Sequence, residues 1–128
     1  MPTLTVAQFD EWLKAYKAAW ETRDPAAAAA LFSADAAYHW TPYDPPQLGR
    51  AAITAAWEGA VHGQKDVRFR YEVLAVEGMR GIAHWNTRLT SVPAGESVEL
   101  DGIFVVEFEG PGLCQLFREW WHVRSKAA

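Results

Sequence analysis

Two runs of alternating polarity, Val98 to Glu109 and Leu113 to Val123, flank Gly110-Pro111-Gly112 and constrain the chain more than any other stretch. In the first run Val98, Leu100, Gly102, Phe104, Val106 and Phe108 fall on one side. Glu99, Asp101, Ile103, Val105, Glu107 and Glu109 fall on the other, the period-2 pattern of a half-buried strand. A long hairpin with one face on a core and one largely wet is therefore expected at the centre of the fold.

At 128 residues the chain is expected to form a single domain, residues 1–128, large enough to bury a core without staples. A net charge of −4 with no Lys/Arg cluster gives no footprint for phosphate backbones, so nucleic acid is not expected as a partner. The one cysteine, Cys114, excludes an internal disulfide and reads as a small hydrophobe within a strand. No leader, lipidation motif or apolar run of about 18 residues is present. The expectation is a cytoplasmic protein with no membrane partner.

From the N-terminus, Thr5 and Gln8 form a capping box, and Phe9, Trp12, Leu13, Tyr16 and Trp20 recur at helical spacing, which predicts a helix over 6–22. Asp24-Pro25 opens a second, Ala-rich helix closing near Ser33. A brief strand is predicted over 36–41, then a loop that Pro42, Pro45 and Pro46 keep irregular, a candidate flexible lip. A third helix is predicted from Arg50 to about Gly59. Beyond Gly63 the pattern is all strand. Val67, Phe69, Tyr71 and Val73 share a face, and a phase shift at Leu74 marks a bulge. Ala83, Trp85, Thr87 and Leu89 alternate with His84, Asn86 and Arg88. A turn centred between Ala94 and Gly95 would set Trp85 opposite Phe104 and Arg88 opposite Asp101. The predicted class is α+β: three N-terminal helices packed in the concave face of a strongly bent antiparallel sheet.

This order of elements resembles the nuclear transport factor 2-like superfamily, which includes ketosteroid isomerase and the SnoaL-like polyketide cyclases. The resemblance rests on Tyr16, Trp20 and Asp24, on Ala29-Ala-Leu-Phe-Ser-Ala-Asp-Ala-Ala-Tyr38, Gly49-Arg-Ala-Ala-Ile53 and Leu100-Asp-Gly-Ile103, and on Gly112 followed by Arg118 and Trp120. It implies a cystatin-like cone with a deep apolar pocket, and commonly a homodimer formed through the outer sheet face. Functions in this group range from isomerase, cyclase and dehydratase to pure binding, so the fold alone does not choose among them. Carried over from ketosteroid isomerase, the oxyanion Tyr falls on Tyr16. The protonated oxyanion Asp falls on Phe104 and the general-base Asp near Trp40 or Thr41, so neither carboxylate is present. The resemblance does not extend to that enzyme's chemistry. It does imply that Phe104, and with it Phe117, Glu119 and Trp121 on the last strand, face the pocket.

Three residues are candidate catalysts. Glu119 among aromatics would be desolvated, which raises a carboxyl pKa into the range useful for proton transfer; alternatively it pairs with Arg50 or meets solvent. His39, beside the family's general-base position, could do the same work, provided that Tyr38 and Trp40 do not take the inner face instead. Tyr16 could donate to a carbonyl or oxyanion, or be a core Tyr with a satisfied hydroxyl. Trp40, Trp57, Trp85, Phe104, Phe117 and Trp121 are candidate ligand-lining residues, with core packing the alternative for each. His84 and His122 are placed on the outer surface. No His pair shows ligand spacing, so no metal and no cofactor is assigned. The functional expectation is a SnoaL-like protein whose aromatic-lined apolar pocket binds a small hydrophobic molecule. If it is an enzyme, it is an acid/base isomerase, cyclase or dehydratase. The alternative is a non-catalytic binding or dimerisation module.

Overall fold

A computed structural model of the chain describes residues 3–110 and 112–126. Helix α1, Val6–Glu21, starts at the predicted capping box: Gln8 N donates to Thr5 Oγ1 and Thr5 N to Gln8 Oε1, both at 3.0 Å. Its Phe9, Trp12, Leu13, Tyr16, Ala19 and Trp20 form the buried stripe. Helix α2, Pro25–Ala29, is capped by Asp24, whose side chain accepts from Ala27 N. Then follow β1 (Phe32–His39), β2 (Gln47–Leu48), α3 (Gly49–His62), β3 (Gln64–Glu77), β4 (Arg80–Ser91), β5 (Ser97–Gly110) and β6 (Leu113–Lys126). No described helix is long and apolar enough to cross a membrane.

The strands make one curled, unclosed sheet in the order β2-β1-β6-β5-β4-β3, with the helices on its inner face. The architecture is the predicted α+β cone, with one difference in sense: β1 runs parallel to β6, and all other pairs are antiparallel. The β5–β6 hairpin is central as predicted, although Pro111 of its turn lies outside the described residues. The edge strand β3 is covered by α1. Phe69 N donates to Glu21 Oε2 at 2.8 Å, Lys17 Nζ donates to Phe69 O at 2.6 Å, and Tyr71 Oη donates to Asp10 Oδ1 at 2.7 Å. Side chains thus satisfy backbone groups that an open sheet edge would leave free.

Three boundaries, one added short strand and one register differ from the sequence expectation. Helix α2 ends at Ala29, and β1 starts at Phe32, because Cys114 N donates to Leu31 O and Phe32 pairs with Cys114. Sheet pairing overrides the helix propensity of the Ala run. The loop after β1 ends in a two-residue strand, β2, which antiparallel pairing of Leu48 with Ala37 holds in place. Helix α3 runs through Gly59 to His62, since Gly59 faces open space and Gly63 serves as the C-cap. The β4–β5 pairing is two residues off: Trp85 faces Gly102 and Arg88 faces Glu99. The turn is tighter to its N-terminal side, with Ser91 N donating to Glu96 O and Gly95 N to Ser91 O. A slip of two keeps every side chain on its predicted face. The predicted bulge is at Leu74, passed over between the pairs Val73–Ala83 and Ala75–Ile82.

The core is aromatic. Phe117 stacks on Tyr38 with ring centroids 4.4 Å apart and on Tyr16 at 5.7 Å, and touches Phe104 at 4.7 Å. Such pairs contribute about 0.5–1.5 kcal/mol each beyond area burial, so this cluster ties Tyr16 of α1 and Tyr38 of β1 to the inner face of β6.

Candidate functional site

Alternation along β6 turns Phe117 and Glu119 inward, and alternation along β1 turns Tyr38 inward. Because β1 and β6 run parallel with Tyr38 paired to Phe117, Glu119 lies one same-face step beyond Tyr38. The Tyr38 hydroxyl donates to Glu119 Oε2 at 3.4 Å, and the Tyr16 and Tyr38 hydroxyls are 3.0 Å apart. A hydroxyl has one proton, so when Tyr38 donates to Glu119, Tyr16 donates to Tyr38. The result is a buried chain, Tyr16 to Tyr38 to Glu119, directed at the carboxyl.

Glu119 is 5% exposed and takes part in no ion pair among the described residues; Arg50 instead donates to Phe32 O at 2.8 Å. Burial pushes the Glu119 carboxyl well above the usual carboxylate range, against a small opposing pull from Tyr38. Burial also pushes both Tyr hydroxyls up, so neither ionises near neutrality. Burial among apolar rings thus favours the protonated form of this carboxyl, the form that can donate a proton.

This carboxyl opens on a cleft of about 30 Å³ lined by Tyr16, Trp20, Trp40, Trp57 and Glu119, with Ala60, Val61 and Gln64 completing the wall. Trp20 Nε1 donates to Gln64 Oε1 at 2.8 Å, but Trp57 Nε1 is buried without a hydrogen-bond partner. The outer sheet face has larger hollows, one of about 510 Å³ bounded by Arg88, Glu99, Arg124 and Lys126. Arg88 and Arg124 both pair with Glu99 there, Arg124 Nε lying 2.9 Å from Glu99 Oε1, and no buried titratable group faces it. The buried titratable groups, Tyr16 and Glu119, lie instead at the small inner cleft.

Of the candidate catalysts, the structure brings Glu119 and Tyr16 to the cleft and excludes His39. Tyr38 takes the inner face of β1 and Trp40, just past its end, lines the cleft, so alternation sets His39 on the other side of the sheet. Among the candidate lining residues, Trp40 and Trp57 line the cleft. Trp85, Phe104 and Phe117 are instead 0–1% exposed in the core. They pack on each other and on Trp20, Phe69 and Tyr16, which leaves them no free face for a ligand. Trp121 sits at the rim, 37% exposed, with Nε1 donating to Trp40 O at 2.9 Å. His84 is on the outer face between Glu72 and Asp101, and Asp101 raises its pKa. His122 is exposed. Sequence reasoning missed Tyr38 as a site residue. The signal was present in the alternation that paired Tyr38 with Trp40 against His39.

The profile of the SnoaL-like domain matches residues 13–115, most of the chain. The chain belongs to the SnoaL-like domain family. Among solved structures this SnoaL-like domain is similar to SalBIII, an epoxide hydrolase/cyclase-like enzyme described in pyran ring formation in the polyether salinomycin. The TM-score is 0.79 at 17% identity, covering 91% of this chain and 95% of that one. It is similar also to a computationally designed 17-OHP binder, with a TM-score of 0.80 at 13% identity over 93% and 98% of the two chains. At these identities the likeness concerns the fold. No curated protein matches the chain.

Proposed function

We propose that this SnoaL-like domain binds a small, flat, apolar molecule in the inner cleft and that Glu119 exchanges a proton with it. The observation that carries the reading is a fully buried carboxyl with no cation beside it, held by Tyr38 in the wall of an aromatic cleft. A protonated Glu119 would donate to a carbonyl or leaving oxygen, and the carboxylate left behind would take a proton from the neighbouring carbon. Isomerisation and dehydration share these two half-steps; in a cyclisation the carboxylate would instead take its proton from the nucleophile that closes the ring. Tyr16, through Tyr38, stabilises the negative charge that Glu119 carries between them. The description of SalBIII as cyclase-like and of the second neighbour as a binder supports a ligand-binding role for the shared fold. The experiment is a tryptophan-fluorescence titration with steroids, flavonoids and aromatic polyketides, followed by turnover of any binder with wild type and Glu119→Gln. Saturable binding with turnover lost in the variant supports the reading; unchanged turnover overturns the role of Glu119.

A second reading has its own observation. A volume of about 30 Å³ is below the roughly 300–1,000 Å³ of ordinary small-molecule sites, so ligand entry requires rings at the mouth of the cleft, Trp40 first among them, to swing aside. If they stay in place, the domain is a non-catalytic module and the outer sheet face is its working surface. In either case we propose a homodimer through that face, where Trp120 is 43% exposed. A folded protein that responds to no ligand in the titration selects this second reading.

A further inference from the structure

Of the polar side-chain atoms that line the cleft, one is fully buried and has no hydrogen-bond partner. Tyr16 Oη donates to Tyr38, and Tyr38 donates to Glu119. Gln64 Oε1 accepts from Trp20 Nε1. Trp57 is 3% exposed, lines the cleft, and has its indole Nε1 buried without a hydrogen-bond partner. The N–H is close enough to the Tyr38 hydroxyl to lower its pKa as a donor would, yet it does not meet the geometry of a formed hydrogen bond. Burying such a donor unsatisfied is costly, and native interiors rarely leave one so. An indole nitrogen only donates, so whatever satisfies it must bring an acceptor.

We infer that Trp57 is a specificity-determining residue of the cleft, its N–H reserved for an acceptor oxygen on the bound molecule, so that the site selects apolar molecules carrying a carbonyl or ether oxygen over hydrocarbons and amines of equal size. The inference rests on the cleft being the ligand site proposed above. The surroundings agree with it. No Lys or Arg lines the cleft, and Glu119 is held in its uncharged form by burial. A cationic amine would therefore lose its hydration there and find no anion, whereas a neutral oxygen gains a donor already desolvated. The seat of that oxygen is next to Glu119, because Trp57 and Glu119 both neighbour Tyr38. The same contact would thus hold the group on which the acid acts.

The test uses a matched pair of probes, 2-acetylnaphthalene and 2-ethylnaphthalene, and equilibrium dialysis against the whole chain. One variant replaces residue 57 with 3-benzothienylalanine, which keeps the indole shape and puts sulfur where the N–H was; a second is Trp57→Phe. Removal of one hydrogen bond is expected to weaken the ketone by about three- to tenfold and to change the hydrocarbon by less than about twofold. Equal losses for both probes, or no loss for the ketone, overturn the inference while leaving the cleft as a binding site. Failure of both probes to bind the unaltered protein overturns the inference and the site together.

Discussion

Tyr38 and Glu119 stand on neighbouring parallel strands, and the Tyr38 hydroxyl donates to Glu119 Oε2 at 3.4 Å. Among the described residues this is the one hydrogen bond the carboxyl receives, and it is too long to offset burial. The site is therefore built around a carboxyl whose protonated form burial favours, rather than around an ion pair.

The first prediction concerns pH. The folded-state pKa of Glu119 is raised above its ordinary value of 4.5, so between those two values the native state holds a proton that the unfolded chain releases. Its contribution to stability is complete below the ordinary value and is lost as pH rises toward the folded one. Glu119→Gln keeps the shape and the neutral state without this loss. Thermal unfolding at about pH 5 and about pH 8 should show the variant gaining on wild type at the higher pH. A gap that does not change with pH would refute a carboxyl buried in its protonated form.

The direction of the hydroxyl chain gives the second. Tyr38→Phe removes the donor to Glu119 and the acceptor for Tyr16 together, leaving two buried polar groups unsatisfied. A loss of about 1–3 kcal/mol is expected from denaturant unfolding. Tyr16→Phe removes only a donor to Tyr38 and should cost less. The reverse ranking would mean that the chain does not run toward Glu119.

Much of this was legible from alternation and capping, and what was not has definite physical causes. The period-2 runs specified which residues face inward on β3 to β6, and that face assignment put Glu119 and Phe117 inside. The β4–β5 register was not decidable from charge, because Arg88 finds a carboxylate whether it faces Asp101, as expected, or Glu99, as observed. Only the turn geometry separates the two. The end of α2 was lost to tertiary pairing of Phe32 with Cys114. Counting aromatics indicates how much apolar area is available but not how much of it is left uncovered. Trp85, Phe104 and Phe117 interlock and close a pocket that composition alone would leave open.

Gly102 carries the third prediction. It faces Trp85 across β4 and Trp121 across β6. A Cβ there would press on the Trp120 carbonyl oxygen and stand 2.9 Å from Trp121 Cβ. The first obstacle is backbone of the central hairpin, which no rotamer change relieves. Gly102→Ala should therefore lower stability by about 1–3 kcal/mol or more, read as a lower denaturant midpoint with an unchanged slope. A midpoint within error of wild type would show that the hairpin yields at this position.

The last prediction tests the outer face. Trp120 pairs with Ile103, and strand alternation places both on the convex side, with Ile82 and Val105 half-buried near them and Leu74 52% exposed. Arg118 lies over the Trp120 ring at 5.9 Å and is 3.2 Å from Glu107, so the apolar strip is bordered by charges that already satisfy each other. Scattered exposed apolar side chains are ordinary, whereas a contiguous strip on a sheet face marks a contact surface. If two copies meet there, Trp120→Glu sets a charge against its own symmetry mate in an isologous interface and should abolish association. Sedimentation equilibrium should then give a dimer mass for wild type and a monomer mass for the variant, with the far-UV circular dichroism of the two superimposable. A monomeric wild type would remove the outer face from the proposal and leave the cleft as the working part of the molecule.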